Sequence, residues 1–330
     1  MRKVAMNQSP LVSVIIPNYN YARFLKQRMN SILHQTYTNF EIILLDDAST
    51  DESFEIIDQY KNHPQISHVE INRSNSGTPF LQWKKGLSLA RGKYVWIAES
   101  DDYADLSFLA TTVPLMEKNT EAALCFVGSY CVDEEGNELN LDHNRWGKRQ
   151  LSCKEGYRIF NSSDYVLRNL YWRCYIFNSS GVLFRRDLSE AIDGREWSSM
   201  KSSGDWLFWT EMAGMGKVIE VYKKLNYFRS HRSTSAQARR SGIAWEEDFT
   251  VISKIEQKYP QITSYRKMLR RGIFYKKIKR AQFDRNIKQG LFEKLEDVLH
   301  GGYKSYLIER LNKYLSSLVP CLPTEQRDRL

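Results

Sequence analysis

The sequence predicts an α/β fold of Rossmann-like character, with a mostly parallel central sheet, flanking helices and a helical C-terminal region. Three observations carry that prediction. Short apolar runs end in proline or acids, segments of helical periodicity separate them, and the chain beyond Ala244 carries helical periodicity alone.

The first strand is expected at Val12 to Ile16, stopped by Pro17. Phe24, Arg28, Ile32 and Leu33 then share a helical face. A second strand at Ile42 to Leu45 ends in Asp46-Asp47, and Phe54, Ile57 and Tyr60 suit a helix after it. A helix from Phe80 to Ala90 leads to a third strand, Tyr94 to Ala98, which also ends in acids. This βαβ rhythm places ligands outside the carboxyl ends of the strands, where these polar residues fall. Gly128 to Tyr157 is polar and rich in turn residues, so a hairpin or loop is expected there. Further on the pattern gives a strand at Gly181 to Phe184, a helix from Asp205 to Met212 and a strand at Lys217 to Tyr222. In the last helix Leu307, Leu311, Tyr314, Leu315 and Leu318 line one face before Pro320 stops the run.

The 330 residues are 42% hydrophobic and 26% charged, which describes a folded chain and not a disordered one. No apolar run of signal-peptide or membrane-spanning length occurs, and a cytoplasmic location is expected. The five cysteines are scattered without C-x-x-C spacing, which argues against a disulfide framework or a zinc site. The net charge of +9 is concentrated: Tyr265 to Lys288 holds ten basic residues against Asp284 alone, leaving the rest close to neutral.

Two local patterns bear chemistry. Ser13-Val14-Ile15-Ile16-Pro17-Asn18-Tyr19-Asn20 is followed by Leu45-Asp46-Asp47-Ala48-Ser49-Thr50-Asp51. An aspartate at a strand's carboxyl end can accept hydrogen bonds from a base N–H or a ribose hydroxyl, although the same residues also make a good helix cap or turn. The second pattern is Glu99-Ser100-Asp101-Asp102 after the third strand. Such a cluster needs water, hydrogen bonds or a cation, and hard oxygen donors suit Mg²⁺ or Mn²⁺; a solvated acidic turn is the plainer alternative.

In order and spacing these patterns resemble the family 2 glycosyltransferases of the GT-A fold, over about residues 11 to 232. The resemblance includes His34-Gln35-Thr36-Tyr37, Asn75-Ser76-Gly77 and Ala90-Arg91-Gly92-Lys93-Tyr94. It implies a nucleotide-sugar site at Pro17, Asn18, Tyr19 and Asp47, with Asp101 and Asp102 serving a divalent cation (Mn²⁺ or Mg²⁺) and the donor's ribose and diphosphate. Glu99 stands where many members carry Asp. Where many have Arg-Asn this chain has Trp83-Lys84, so Lys84 would meet the diphosphate as a point charge without arginine's fork.

The same resemblance makes Asp205, in Ser203-Gly204-Asp205-Trp206, the acceptor-activating base, with Gly204 in the place where members often have Glu. Taken alone, Gly-Asp before an apolar helix is ordinary capping. Trp206 and Trp209 can stack on a sugar or pack into a core. The segment Leu225 to Ser235 resembles the one closing the domain in related bacterial enzymes, so His231 and neighbouring cations such as Arg232 are candidates for the diphosphate or metal; an exposed loop histidine is the plain alternative.

The resemblance thus gives residues 1–243 as the transferase domain, with 1–127 its nucleotide-sugar half and 128–243 its acceptor half, and 244–330 as a basic helical region. It implies inverting transfer from a nucleotide-diphosphate sugar, UDP-sugar favoured, to a glycan or lipid-linked acceptor, in bacterial surface polysaccharide or lipopolysaccharide synthesis. The basic helices either contact an anionic membrane peripherally, on its inner face, or pack as a solvated subdomain. Nucleic acid is not expected as a partner, because stacking platforms and reader motifs do not accompany the charge.

Overall fold

A computed structural model describes residues 10–144, 146, 150–231 and 239–318. They form two compact units. One comprises the described residues of Met1–Ser162, Ile176–Ser199 and Glu211–His231; the other those of Ser163–Tyr175, Met200–Thr210 and Arg232–Leu330.

The first unit is built on a nine-stranded sheet of order β3-β2-β1-β4-β8-β6-β9-β5, with β7 also pairing β9. The strands are β1 Val12–Asn18, β2 Phe40–Asp46, β3 Ile66–Ile71, β4 Tyr94–Ile97, β5 Tyr103–Ala104, β6 Ala122–Val132, β7 Tyr157–Phe160, β8 Val182–Arg185 and β9 Lys217–Arg229. Strands β1 to β4 form the parallel block the sequence predicts, with Val12 opposite both Phe40 and Tyr94. Antiparallel β8 joins that block to β6. Every residue of β1, β2 and β4 is buried, which explains their continuous apolar runs. β3 and β5 escaped the pattern because β3 is only half-buried and β5 has two residues. The expected loop from Gly128 begins later, since β6 runs on to Val132, and β9 continues to Arg229.

Helices α1 Ala22–Leu33, α2 Ser53–Tyr60, α3 Pro79–Leu89 and α4 Phe108–Lys118 follow strands of this block. In α2 the buried apolar residues are Ile56 and Ile57, while Phe54 is exposed. Thr78 caps α3 through Phe80 N and Pro79 takes the first turn, a natural start for a helix. Several residues of the family pattern prove structural. Ser13 Oγ donates to Glu41 and accepts from the amides of Arg91 and Gly92 (3.1 and 2.8 Å), tying the amino ends of the strands together. Gln35 bonds Asp105 O and Leu109 N and so fastens the end of α1 to α4.

Short helices α5 Ser162–Tyr165, α6 Arg186–Glu190 and α7 Gly194–Trp197 precede α8 Gly204–Ala213. The C-terminal run contains α9 Ile243–Lys258, α10 Ser264–Arg280, α11 Arg285–Leu299 and α12 Tyr303–Leu318. No helix among the described residues is long and apolar enough to cross a membrane. Half of the basic stretch is engaged inside this unit. Arg266 and Arg270 donate to the carbonyls of Leu167 and Tyr171, Lys267 and Arg271 face Glu256, and Lys276 pairs with Glu309 at 2.6 Å.

Helix α12 turns much of its apolar stripe outward. Leu307, Leu311 and Tyr314 are 48%, 57% and 68% exposed, whereas Ser305, Glu309, Asn312 and Ser316 are buried. The cause is close approach to α10: a Cβ on Gly272 would overlap Ser305 O and the Glu309 side chain, and Tyr265 donates to Asn312 at 2.5 Å. Pro320 and the side chain of Leu318 lie outside the described residues. Gly272→Ala, despite alanine's helix propensity, is expected to destabilise the C-terminal unit by about 1–3 kcal/mol through this clash; urea unfolding followed by tryptophan fluorescence measures it.

Candidate active site

At the carboxyl ends of β1 and β2 two aspartates divide the work. Asp46 takes the turn chemistry: it accepts from Asn18 Nδ2 (2.8 Å) and from the amide and hydroxyl of Ser49 (2.8 and 2.7 Å). Asp51 receives the amides of Ala22 and Ser53. Asn20 and Ala48 adopt φ of 58° and 61°, and Asn20 joins the two loops through Ser49 Oγ and the Thr50 amide. Asp47 is left free of capping. It is buried and accepts from Asn72, Asn75, Gln82, and both the amide and hydroxyl of Ser76, at 2.6 to 3.0 Å. A base N–H reaching Asp47 must share or replace one of these donors. Pro17 and Asn18 are buried, and Tyr19 is 41% exposed beside them.

The acidic turn after β4 is fastened to β1 by Ser100 Oγ, which donates to Pro17 O at 2.6 Å. Glu99 accepts from the indole of Trp83 at 2.7 Å, yet burial and the charges of Asp101 and Asp102 push its carboxyl up to about 8. Asp102 is raised to about 6 by burial first and by Asp101 second; its Oδ1 accepts the Arg229 amide at 2.9 Å. Asp101 lies 2.8 Å from Nε2 of His231, whose ring meets Tyr21 edge-on. Lys84 is exposed on α3 and runs along Gly194 at the start of α7. Arg232 lies outside the described residues.

Two arginines have partners that the sequence did not assign: Arg28, read as part of a helical face, and Arg229, one of the cations near His231. Arg28 is fully buried, its Nε donates to Glu99 O at 2.8 Å, and burial lowers its guanidinium to about 10. Its Nη1 and Nη2 have no hydrogen-bond partner among the described residues, and the three acids around it hold the charge in place. Arg229 donates to the carbonyls of Asp101, Asp133 and Glu134 and to Gln27, with its guanidinium 4.3 Å from the Phe24 ring centroid. Separated from Asp101 by 128 residues, it left no local signal.

The donor set at Asp101 and Asp102 consists of hard oxygens, which fits Mg²⁺ or Mn²⁺ only if further ligands come from elsewhere. No group of three or more His, Cys, Asp or Glu with ligand spacing occurs among the described residues. The oxygens of a bound diphosphate are the natural complement.

In the second unit Asp205 opens α8. Its carboxylate accepts the Trp206 amide at 2.7 Å and lies 3.9 Å from Cys174 Sγ; burial foremost, with Asp248 and Glu247 adding repulsion, pushes it up to about 7. The loop before it is held by α9. Glu247 accepts the amides of Lys201, Ser202 and Ser203 at 2.6 to 2.8 Å, and Asp248 accepts Ser203 Oγ at 2.7 Å. The loop that leads into the helix is therefore fixed from a distant segment. Trp206 and Trp209 are 3% and 0% exposed, and Trp206 donates to Leu170 O: both pack in the interior.

A mixed sheet with flanking helices and acids at the carboxyl ends of its parallel strands defines an α/β protein. The sequence model of glycosyl transferase family 2 matches residues 13–192, and the chain belongs to that family. Glycosyltransferase GlyG of Streptococcus pneumoniae serotype 4 (strain ATCC BAA-334 / TIGR4) is 36% identical over 166 residues, 48% of this chain and 55% of GlyG. TuaG of Bacillus subtilis (strain 168) is 33% identical over 134 residues, 41% of this chain and 52% of TuaG. The chain thus spans about half the length of these two relatives. The crystal structure of residues 1–349 of TarS from Staphylococcus aureus superposes with a TM-score of 0.56 at 16% identity, over 92% of this chain and 91% of that one, and shares the GT-A fold.

Removing Asp47 takes the acceptor from five donors, on half-buried Asn72 and Ser76, exposed Asn75 and buried Gln82, so Asp47→Ala is expected to lower stability by about 1–3 kcal/mol and not merely weaken donor binding. Glu247→Ala is expected to cost about 1–2 kcal/mol, with faster hydrogen exchange confined to the amides of 201 to 203. Thermal melts and exchange mass spectrometry check both.

Proposed function

We propose that the protein is a glycosyltransferase that moves a sugar from a nucleoside-diphosphate sugar to a hydroxyl of a glycan or lipid-linked acceptor, with inversion, in assembly of a bacterial surface polysaccharide. The observation that carries it is the acidic turn Glu99 to Asp102 at the end of β4, beside the end of β1, in a chain of this family. The relatives' names agree in kind: TuaG is named for teichuronic acid biosynthesis, and TarS has been solved in complex with UDP-GlcNAc. A UDP-sugar is accordingly the first donor to test.

In this mechanism Tyr19 lies against the base, Asp47 with Asn18 and Pro17 shapes its pocket, and Asp101 and Lys84 meet the ribose and diphosphate. Asp102 and Asp101, with His231, would hold a divalent cation, which would neutralise charge gathering on the leaving diphosphate. Asp205 acts as general base. It takes the proton of the acceptor hydroxyl as that oxygen bonds to the anomeric carbon, and the bond from that carbon to the diphosphate oxygen breaks. Burial supports the role, because a carboxyl raised to about 7 is a stronger base than an exposed one. The internal pairing of Arg266, Lys267, Arg270, Arg271 and Lys276 weighs against a nucleic-acid partner.

Asp205→Asn is expected to lose about 10²- to 10⁴-fold in turnover while still binding donor. Because Asp205 must be ionised to accept a proton, kcat/KM should rise with pH and level off above about 7, and the variant's residual rate should lack that limb. Unchanged turnover in Asp205→Asn removes the base assignment. Donor hydrolysis and thermal shift with UDP-, GDP- and dTDP-sugars, with and without Mn²⁺, test the donor site: a metal-dependent shift abolished by Asp102→Ala supports it, and no shift with any donor favours a noncatalytic role.

A further inference from the structure

The C-terminal unit exposes an apolar surface that its own packing leaves outward. On α12, Tyr303, Leu307, Leu311 and Tyr314 are 57%, 48%, 57% and 68% exposed. At 3.6 residues per turn they fall within an arc of about 80° and extend over about 16 Å. The opposite face is polar and buried: Glu309 pairs with Lys276 and Asn312 accepts from Tyr265. A helix that buries Ser305, Glu309, Asn312 and Ser316 and turns Leu307 and Leu311 outward is oriented for an apolar environment outside the protein.

Its charges name the environment. Lys304, Arg310 and Lys313 are exposed on the same helix, while Glu309, the one acid between Tyr303 and Leu318, is turned inward. At the Tyr303 end the face continues into a cavity of about 610 Å³, lined by Phe292 with Arg285 and Lys288 and also by Glu293 and Glu296. Tyrosines at both ends of a leucine patch, rimmed by lysine and arginine, match the interface of a bilayer: rings and phenols lie at headgroup level, leucines reach the acyl boundary, and cations meet lipid phosphates. A second copy of this chain is a poorer occupant, since a self-complementary contact would bring the three cations of each helix together without an acid to offset them.

We propose that the exposed face of α12 is a docking surface for an anionic lipid bilayer, resting on the transferase reading only for its rationale, delivery of the enzyme to a lipid-linked acceptor. The contact thereby moves from the basic run of α10, whose cations are half engaged internally, to the leucine face beside it.

The test is flotation of the full chain with phosphatidylcholine vesicles containing 30% phosphatidylglycerol, against phosphatidylcholine alone, without donor or acceptor. Binding is expected to the anionic vesicles only and to weaken about fivefold for each cation neutralised, as in Lys304→Gln and Lys313→Gln. Leu307→Ser combined with Leu311→Ser should lose more than tenfold in partitioning with an unchanged thermal melt and unchanged donor binding. Failure of the wild type to float, or equal flotation of the serine variant, overturns the proposal. So does concentration-dependent dimerisation that the serine variant abolishes, because the face would then belong to a second copy. Vesicle binding needs no catalysis, so loss of the transferase reading leaves this outcome standing, and the reverse holds too.

Discussion

Four carboxylates, Asp46, Asp47, Glu99 and Asp102, end the strands β2 and β4 or immediately follow them, and each must be met by donors once water is withdrawn. Much of the surrounding architecture answers that demand. Asn18 and Ser49 serve Asp46; the β3–α3 connection supplies Asn72, Asn75 and Ser76 to Asp47, and Gln82 adds to it from α3. Trp83, one residue on, serves Glu99, and the Arg229 amide at the end of β9 serves Asp102. Elements far apart in the chain are in this way drawn to one edge of the sheet. The supply is uneven: Asp47 is saturated, while Glu99 and Asp102 keep raised proton affinities that burial alone would predict.

The C-terminal unit solves a related problem differently. Its polar groups lie between helices and not at strand ends. Glu247 fixes the loop before α8, Glu256 gathers Tyr171, Lys267 and Arg271, and Glu309 receives Lys276 across the narrow α10–α12 contact. Breaking one member of such a pair leaves its partner buried and uncompensated, so each seam constrains which residues can change. The basic composition is in good part the counterpart of these buried acids.

The parallel block was legible because fully buried strands give unbroken apolar runs closed by proline or acids, as at Val12 to Pro17 and Ile42 to Asp47. Family membership was legible from the ordered set of motifs, although Gln35, Arg91 and Gly92 turn out to brace the scaffold. What escaped notice had no local signature. Arg28 reads as one more helical residue, and Arg229 and Glu247 act on segments 127 and 44 to 46 residues away. On α12 the stripe was legible but not its exposure, since periodicity fixes which residues share a face and not what covers it. Gly272, which permits the close approach, gave no hint of this.

The second unit is assembled from three separated stretches, two of which, Ser163–Tyr175 and Met200–Thr210, are made before the helices that cover them. Tyr165, Tyr171, Trp172, Trp206, Phe208 and Trp209 are all buried in the finished structure. On a ribosome they emerge before α9 and α10 exist, and Arg270, which closes the carbonyl of Tyr171, follows about a hundred residues later. The nascent chain therefore carries an aromatic surface with no cover for several seconds of synthesis, at about 5–20 residues per second. Shortening the chain before α10 makes that interval permanent, so the C-terminal helices belong to the solubility of the second unit as much as to any role of their own.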